Sequence, residues 1–345
     1  MRRLLAILVG AALITAWHLA PLPADWVEGV FARGLYVQVT RLLVPAVDLA
    51  EISLTALLAP VLAGVALWWL ASGWQSTPWR QLVVRKLLQA VTAVIGLYLL
   101  FLALWGGNYE RKPVEALLQL DRHDVVEDDL EMLAEVLVGV IEATTPAPEE
   151  RDLEVALDSI RRSLTELVAQ TTGAAPSLNG RVKALPEGVA LRFGSGGFVN
   201  PWLLEPHVEP ALPEPFWLAT AGHELAHIAG FAGEADADLV AALAGLQADE
   251  AFARYATALS LFVQIGAHLP SDKYQELAAS LPAGATQEIG ELREAVERYR
   301  SPLLTDLTRL AYDRFLRLQG VEAGIADYGR TVTLLVRAKR AGLAF

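Results

Sequence analysis

The chain has 345 residues, 54% of them hydrophobic, a formal net charge of −12 and no cysteine. That is too apolar for one water-soluble domain, and without cysteine there are neither disulfides nor thiolate metal ligands. Residues 107–345 carry 21 Lys and Arg against 36 Asp and Glu, which speaks against nucleic acid or an anionic membrane surface as the main partner.

Three apolar segments account for the excess. Residues 4–20 are apolar apart from Thr15 and His18 and follow the basic pair Arg2-Arg3. Their Ala-rich end has no clean cleavage triplet, so a retained anchor is preferred to a cleaved signal peptide. Segments 52–71 and 87–106 are each 20 residues long and uncharged, which as helices covers a hydrocarbon core of about 30 Å. Trp68, Trp69 and Trp105 lie near their ends, as interfacial aromatics do. Arg2 and Arg3 precede the first segment, and Arg80, Arg85 and Lys86 separate the second from the third. The positive-inside rule puts both basic groups in the cytoplasm, so three spans deliver residues 107–345 to the outside. The expected division is a 1–106 membrane anchor and a 107–345 extracytoplasmic domain.

The outer part reads as mainly α with a small β-hairpin or edge sheet. Helical spacing covers 125–143 and 149–169, and the Thr171–Pro176 block breaks it. Segments 182–185 and 189–193, separated by Pro186-Glu187-Gly188, suggest a hairpin. Prolines at 201, 206, 210, 213 and 215 make the next stretch extended or looped. Helical patterning resumes at Phe216, runs through residue 227, and continues from Glu234 to about His268 and on to the C-terminus.

His223-Glu224-Leu225-Ala226-His227 carries the chemistry. On a helix, histidines four apart share a face and can bind one cation, and Glu224 beside them can deprotonate a water that the cation polarises. In a cysteine-free chain such a site is built from His and carboxylates, which suits a catalytic zinc. A third ligand is needed. On one continuous helix Glu234 would lie about 10 Å along the axis from His227, too far to share a cation, but Gly230 and Gly233 let the chain turn and bring a second helix back. Glu234 is preferred because Asp238, one turn on, can take the other ring N–H of a ligand histidine; Asp236 is the competing ligand. The bland alternative is an acidic helix start that complements the dipole.

The run His223–His227 followed by Glu234-x-x-Ala-Asp238 resembles the gluzincin metallopeptidase pattern. The resemblance implies a zincin-like fold, His223, His227 and Glu234 as zinc ligands, Glu224 as base, and Asp238 behind a histidine. The whole chain resembles a bacterial family known as domain of unknown function 3810. That likeness covers the three N-terminal spans, the exit Trp105-Gly106-Gly107-Asn108-Tyr109-Glu110-Arg111-Lys112-Pro113, Phe198-Val199-Asn200-Pro201 and Tyr328-Gly329. Where this family tends to show Glu-x-Glu-Ala-Asn, the chain has Asp236 and Asp238.

The expected activity is therefore peptide-bond hydrolysis outside the cytoplasmic membrane, on a peptide or protein substrate. Candidates for stabilising the oxyanion are Tyr255, Tyr328, His207 and His268, with core burial the competing role of the tyrosines and loop exposure that of His207. Two readings of other classes stand beside it: an inactive zincin-like sensor or interaction module, and a metal-free helical scaffold.

Overall fold

In the computed structural model, four helices are long and apolar enough to cross a membrane: α1 (Arg2–Leu19), α2 (Ala24–Asp48), α3 (Leu54–Ala71) and α4 (Trp79–Leu104). The described structure comprises residues 2–74 and 77–343, without the side chain of Tyr328. Helices α1, α3 and α4 coincide with the three expected apolar segments. None of the residues of α3 is buried, and α1 packs along α4, where His18 Nε2 lies 2.8 Å from Tyr98 Oη.

Helix α2 was not foreseen; by length and composition it is a fourth candidate beside the three expected spans. Asp25, Glu28, Arg33, Arg41 and Asp48 interrupt its apolar run, so it contains no uncharged window. One face is instead buried: Val27, Phe31, Tyr36, Val37, Val44 and Val47 belong to the protein core. Residues 27–35 are wound as a π-helix, which carries Phe31 and Tyr36, five apart, to the same side, with ring centroids 5.9 Å apart. Glu28 pairs with Arg111 at 2.9 Å, Tyr36 Oη donates to the Ile228 carbonyl at 2.9 Å, and Lys183 Nζ donates to the Val47 carbonyl at 3.1 Å. Both ends of α2 therefore rest on the C-terminal part of the chain.

That part is a helical assembly around one small sheet. Helices α5 (Glu127–Thr144) and α6 (Leu153–Thr172) match the expected spacing. Strands β1 (Lys183–Ala184), β2 (Gly197–Asn200) and β3 (Glu205–Val208) form a sheet of order β1-β3-β2. β1 runs parallel to β3, whereas β2 is antiparallel, with Gly197 opposite Val208 and Asn200 opposite Glu205. The hairpin is thus 197–208, not 182–193 as expected. Val189–Arg192 is instead a helical turn, because the buried Glu209 carboxylate accepts the N–H groups of Gly188 and Ala190 at 2.7 and 3.0 Å.

Helices α7 (Glu214–Ile228), α8 (Glu234–Leu246), α9 (Ala251–Gly266), α10 (Ser271–Ser280), α11 (Ala283–Tyr299), α12 (Pro302–Leu318) and α13 (Arg330–Arg340) complete the fold. The expected run to His268 is broken between α8 and α9, at 247–250. Helix α8 is apolar nearly all round and buried along most of its length, as its alanine-rich sequence allows, between α6, α7, α9 and α13. The candidate site residues lie where α7 hands over to this central helix.

Candidate metal centre

Helix α7 carries His223, Glu224 and His227 near its C-terminal end. It stops at Ile228 because Gly230 takes φ = +93°, a conformation that costs other residues. A Cβ at this glycine would also meet Arg111 Nη1 at 2.8 Å and Asn108 Oδ1 at 2.9 Å. Arg111 pins the turn: it donates to the Gly230 carbonyl at 3.0 Å, lies over the Phe231 ring and pairs with Glu28. Trp105 Nε1 donates to the His227 carbonyl at 3.4 Å. The exit segment after α4 thus holds the end of the motif helix in place.

The turn returns α8 with Glu234 at its first position. Glu234 Oε2 lies 3.2 Å from His223 Nε2 and 3.4 Å from His227 Nε2. The two imidazoles stand at 87° to each other with centroids 4.6 Å apart. Ligand atoms around a tetrahedral zinc are about 3.4 Å apart, so three such atoms are already near the spacing they would have on one ion. The ligand atoms of His223, His227 and Glu234 all fall within 4.8 Å of one another.

The groups behind these three are equally specific. His227 Nδ1 lies 2.7 Å from the Phe231 carbonyl, which accepts its proton and leaves Nε2 free to bind a cation. His223 Nδ1 lies 2.7 Å from Asp238 Oδ1, and Asp238 accepts from Thr331 Oγ1 at 2.8 Å and Gln264 Nε2 at 3.2 Å. Tyr312 Oη donates to Glu234 Oε1. Asp236, on the opposite face of α8, pairs with Arg330 and accepts from Val114 N at 3.3 Å. Among the described residues the converging group is His223, His227 and Glu234, without Asp236.

Glu224 is buried and its Oε2 has no hydrogen-bond partner among the described residues. Strand β2 passes so close that a Cβ on Gly197 would come within 2.6 Å of Glu224 Oε1, which is why the strand needs glycine there. Burial pushes the Glu224 carboxyl up to about 7, against the pull of the two histidines. Burial would lower His223, but Asp238 and Glu234 outweigh it and hold it well above the usual histidine range. His227 is raised in the same way by Glu234. The two histidines in turn overcome burial to hold Glu234 well below the usual carboxylate range. The paired carboxylates thus favour the positively charged form of both imidazoles.

These residues line a cavity of about 910 Å³, together with Phe101 and Trp105 from α4 and its exit, β2, and Thr308, Tyr312 and Phe315 from α12. Several sequence candidates lie elsewhere. Tyr255 is buried in another cluster, where its hydroxyl donates to Glu288 beneath Arg151. His207 is neither in a loop nor exposed: it lies buried on β3, its Nε2 2.8 Å from Ser53 Oγ and its ring stacked on Phe198 at 4.6 Å. His268 is exposed just after α9. The side chain of Tyr328 lies outside the described residues. Tyr312, Thr331 and Gln264 were missed, because each reaches the site from a distant helix and none sits in a motif.

A family model described as Protein of unknown function (DUF3810) matches residues 31–336. The chain belongs to this family. The matched span begins inside α2 and ends inside α13, so it contains every site residue described above and leaves out α1. No curated protein and no solved structure matches the chain.

Proposed function

We propose that this chain is a membrane-anchored, zincin-like zinc metallopeptidase of gluzincin type, acting outside the cytoplasmic membrane. The observation that carries the reading is the convergence of His223 Nε2, His227 Nε2 and Glu234 Oε2 beside an unpartnered, buried Glu224 oxygen, all facing one cavity. The donor set of two neutral nitrogens and one carboxylate is that of a catalytic zinc rather than a structural one. When bound there, zinc supplies Lewis acidity that lowers the pKa of water and polarises a carbonyl.

The protein's own groups would do the rest. Glu224 Oε2, raised by burial, takes a proton from the attacking water and returns it to the departing amine. Asp238 and the Phe231 carbonyl hold the two histidines in orientation through their Nδ1 atoms. Tyr312, a residue of the cavity wall, steadies Glu234 through its hydroxyl. Its single O–H is committed to Glu234, so the donor to a developing oxyanion is left unassigned.

For the anchor, α1, α3 and α4 are the proposed spans, with Arg2, Arg3, Arg80, Arg85 and Lys86 on the cytoplasmic side. Helix α2 lies alongside the outer domain rather than crossing, since Glu28 near one end and Val47 near the other both bond to it.

Zinc stoichiometry of the purified full chain, followed by peptide-library hydrolysis by wild type and Glu224→Gln, tests the reading. Zinc bound to both with cleavage by wild type alone is the expected result. Zinc bound with no cleavage by either sinks the peptidase and favours a zinc-holding sensor. No zinc bound leaves only the helical scaffold.

A further inference from the structure

Helix α12 has two faces in different surroundings. Thr305, Thr308, Tyr312 and Phe315 line the cavity. On the other side Leu303, Leu307, Leu310 and Leu318 are exposed by 69, 54, 53 and 55%. At about 100° per residue these four leucines fall within an arc of roughly 80°. Single exposed leucines are ordinary, but a continuous stripe marks a surface that something covers. Arg314 falls in the same arc, and a long basic side chain can reach from there to a headgroup phosphate.

The attachment of α12 identifies what covers it. Gln319, just past its end, donates to Tyr98 Oη at 2.8 Å, and Phe315 packs edge-on against Phe101 at 5.8 Å. Trp202, in the turn between β2 and β3, is 41% exposed and donates to the Leu97 carbonyl at 3.1 Å. Leu97, Tyr98 and Phe101 all belong to α4. Its stretch 87–104 carries no charge and measures about 27 Å, close to the thickness of a hydrocarbon core. Leu97 and Tyr98 lie about 10 Å before its end. The C-terminal end of α12 and Trp202 are thereby held against α4 about 10 Å before its end, close to the depth of roughly 5–10 Å where amphipathic helices settle.

We propose that α12 is seated in the lipid–water boundary, and that the cavity it walls takes its polypeptide substrate there, from a membrane-anchored protein. This substrate class rests on the peptidase reading above. A tether to the same bilayer holds a scissile segment at high effective concentration, whereas a free peptide must find a site flanked by lipid.

The cysteine-free chain allows single labels to be placed cleanly. Full-length Leu303→Cys and Leu307→Cys, labelled with bimane in phosphatidylcholine–phosphatidylglycerol vesicles, are expected to be quenched by a shallow doxyl lipid. Glu294→Cys on α11 should respond only to aqueous iodide. Iodide quenching without doxyl quenching at 303 and 307 overturns the proposal. In the same vesicles, one peptide library is presented free and on a lipid anchor. Wild type should cleave the anchored form at least about tenfold faster, a preference that combined Leu303→Glu, Leu307→Glu and Leu310→Glu should abolish while zinc content holds. Equal rates on both forms, or a preference the triple variant keeps, overturn the substrate class and leave the peptidase reading standing. Lipid quenching with no cleavage of either form removes the peptidase reading, and this proposal with it.

Discussion

Two buried clusters in this molecule set histidine against glutamate, and their charges are balanced differently. Around Glu205 the carboxylate meets Lys183 Nζ at 2.9 Å, His207 Nε2 at 3.2 Å, Thr55 Oγ1 at 2.6 Å and the N–H groups of Leu54 and Thr55. It is answered entirely from within the chain, and it ties the first turn of α3 to β3. Around Glu234, three carboxylates face two histidines, and among the described residues no lysine or arginine pairs with Glu224, Glu234 or Asp238. A buried charge that is unpaired costs several kcal/mol; the first cluster is answered by a lysine, whereas the carboxylates of the second rely on its two histidines. The same residue types make a lysine-backed clamp in one place and, in the other, a group of side-chain atoms spaced so that they could hold a metal ion.

That contrast can be broken most sharply at Glu224. Glu224→Gln should lower hydrolysis by about 10³-fold with zinc content unchanged, checked by single-turnover peptide cleavage beside metal analysis. At the Glu205 cluster the effect should fall on stability instead. Glu205→Ala strands Lys183 and should cost about 3 kcal/mol, read as a lowered unfolding midpoint in detergent, with zinc stoichiometry of the folded fraction intact. Asp238→Ala should weaken zinc affinity by about 10- to 100-fold, measured by chelator competition, because His223 loses the partner of its Nδ1. Asp236→Asn should leave zinc affinity within about twofold, since Asp236 pairs with Arg330 away from the ligands; a larger loss would put Asp236 back in the ligand set.

The smallest effect concerns pH. Burial would raise Glu205, but hydrogen bonds from His207, Lys183 and Thr55 hold it well below the usual carboxylate range. A group depressed in the folded state stabilises fully above its unfolded value and loses that stabilisation as pH falls through the folded one. The difference in unfolding midpoint between wild type and Glu205→Gln should therefore be flat from neutrality down to about pH 5 and shrink below that. A gap that instead opens on acidification would contradict the clamp.

What could be read from residue order was the local part of this picture. Helix α7 with its paired histidines, the glycine break, and Glu234 and Asp238 on one face of α8 follow from periods of three and four residues. The apolar lengths of α1, α3 and α4 follow in the same way. Helix α2 was not legible as a helix, because its charges hide an apolar face that only tertiary packing reveals. The hairpin was misplaced because Glu209, some twenty residues downstream, converts the expected second strand into a capped turn. Tyr255 and His207 are plausible site residues by type, yet Glu288 and Ser53 claim them, and no spacing rule predicts partners so far apart in the chain.

The site is also spread unevenly in time. His223, Glu224, His227 and Glu234 emerge within a dozen residues of one another, but the hydroxyls that steady Glu234 and Asp238 come from Tyr312 and Thr331. Synthesis runs from the N-terminus, while a domain generally folds as a unit. A growing chain that has just passed Glu234 holds His223, Glu224, His227 and Glu234 and neither hydroxyl. The completed hydrogen-bonding around Glu234 and Asp238 therefore needs α12 and α13, which supply those hydroxyls.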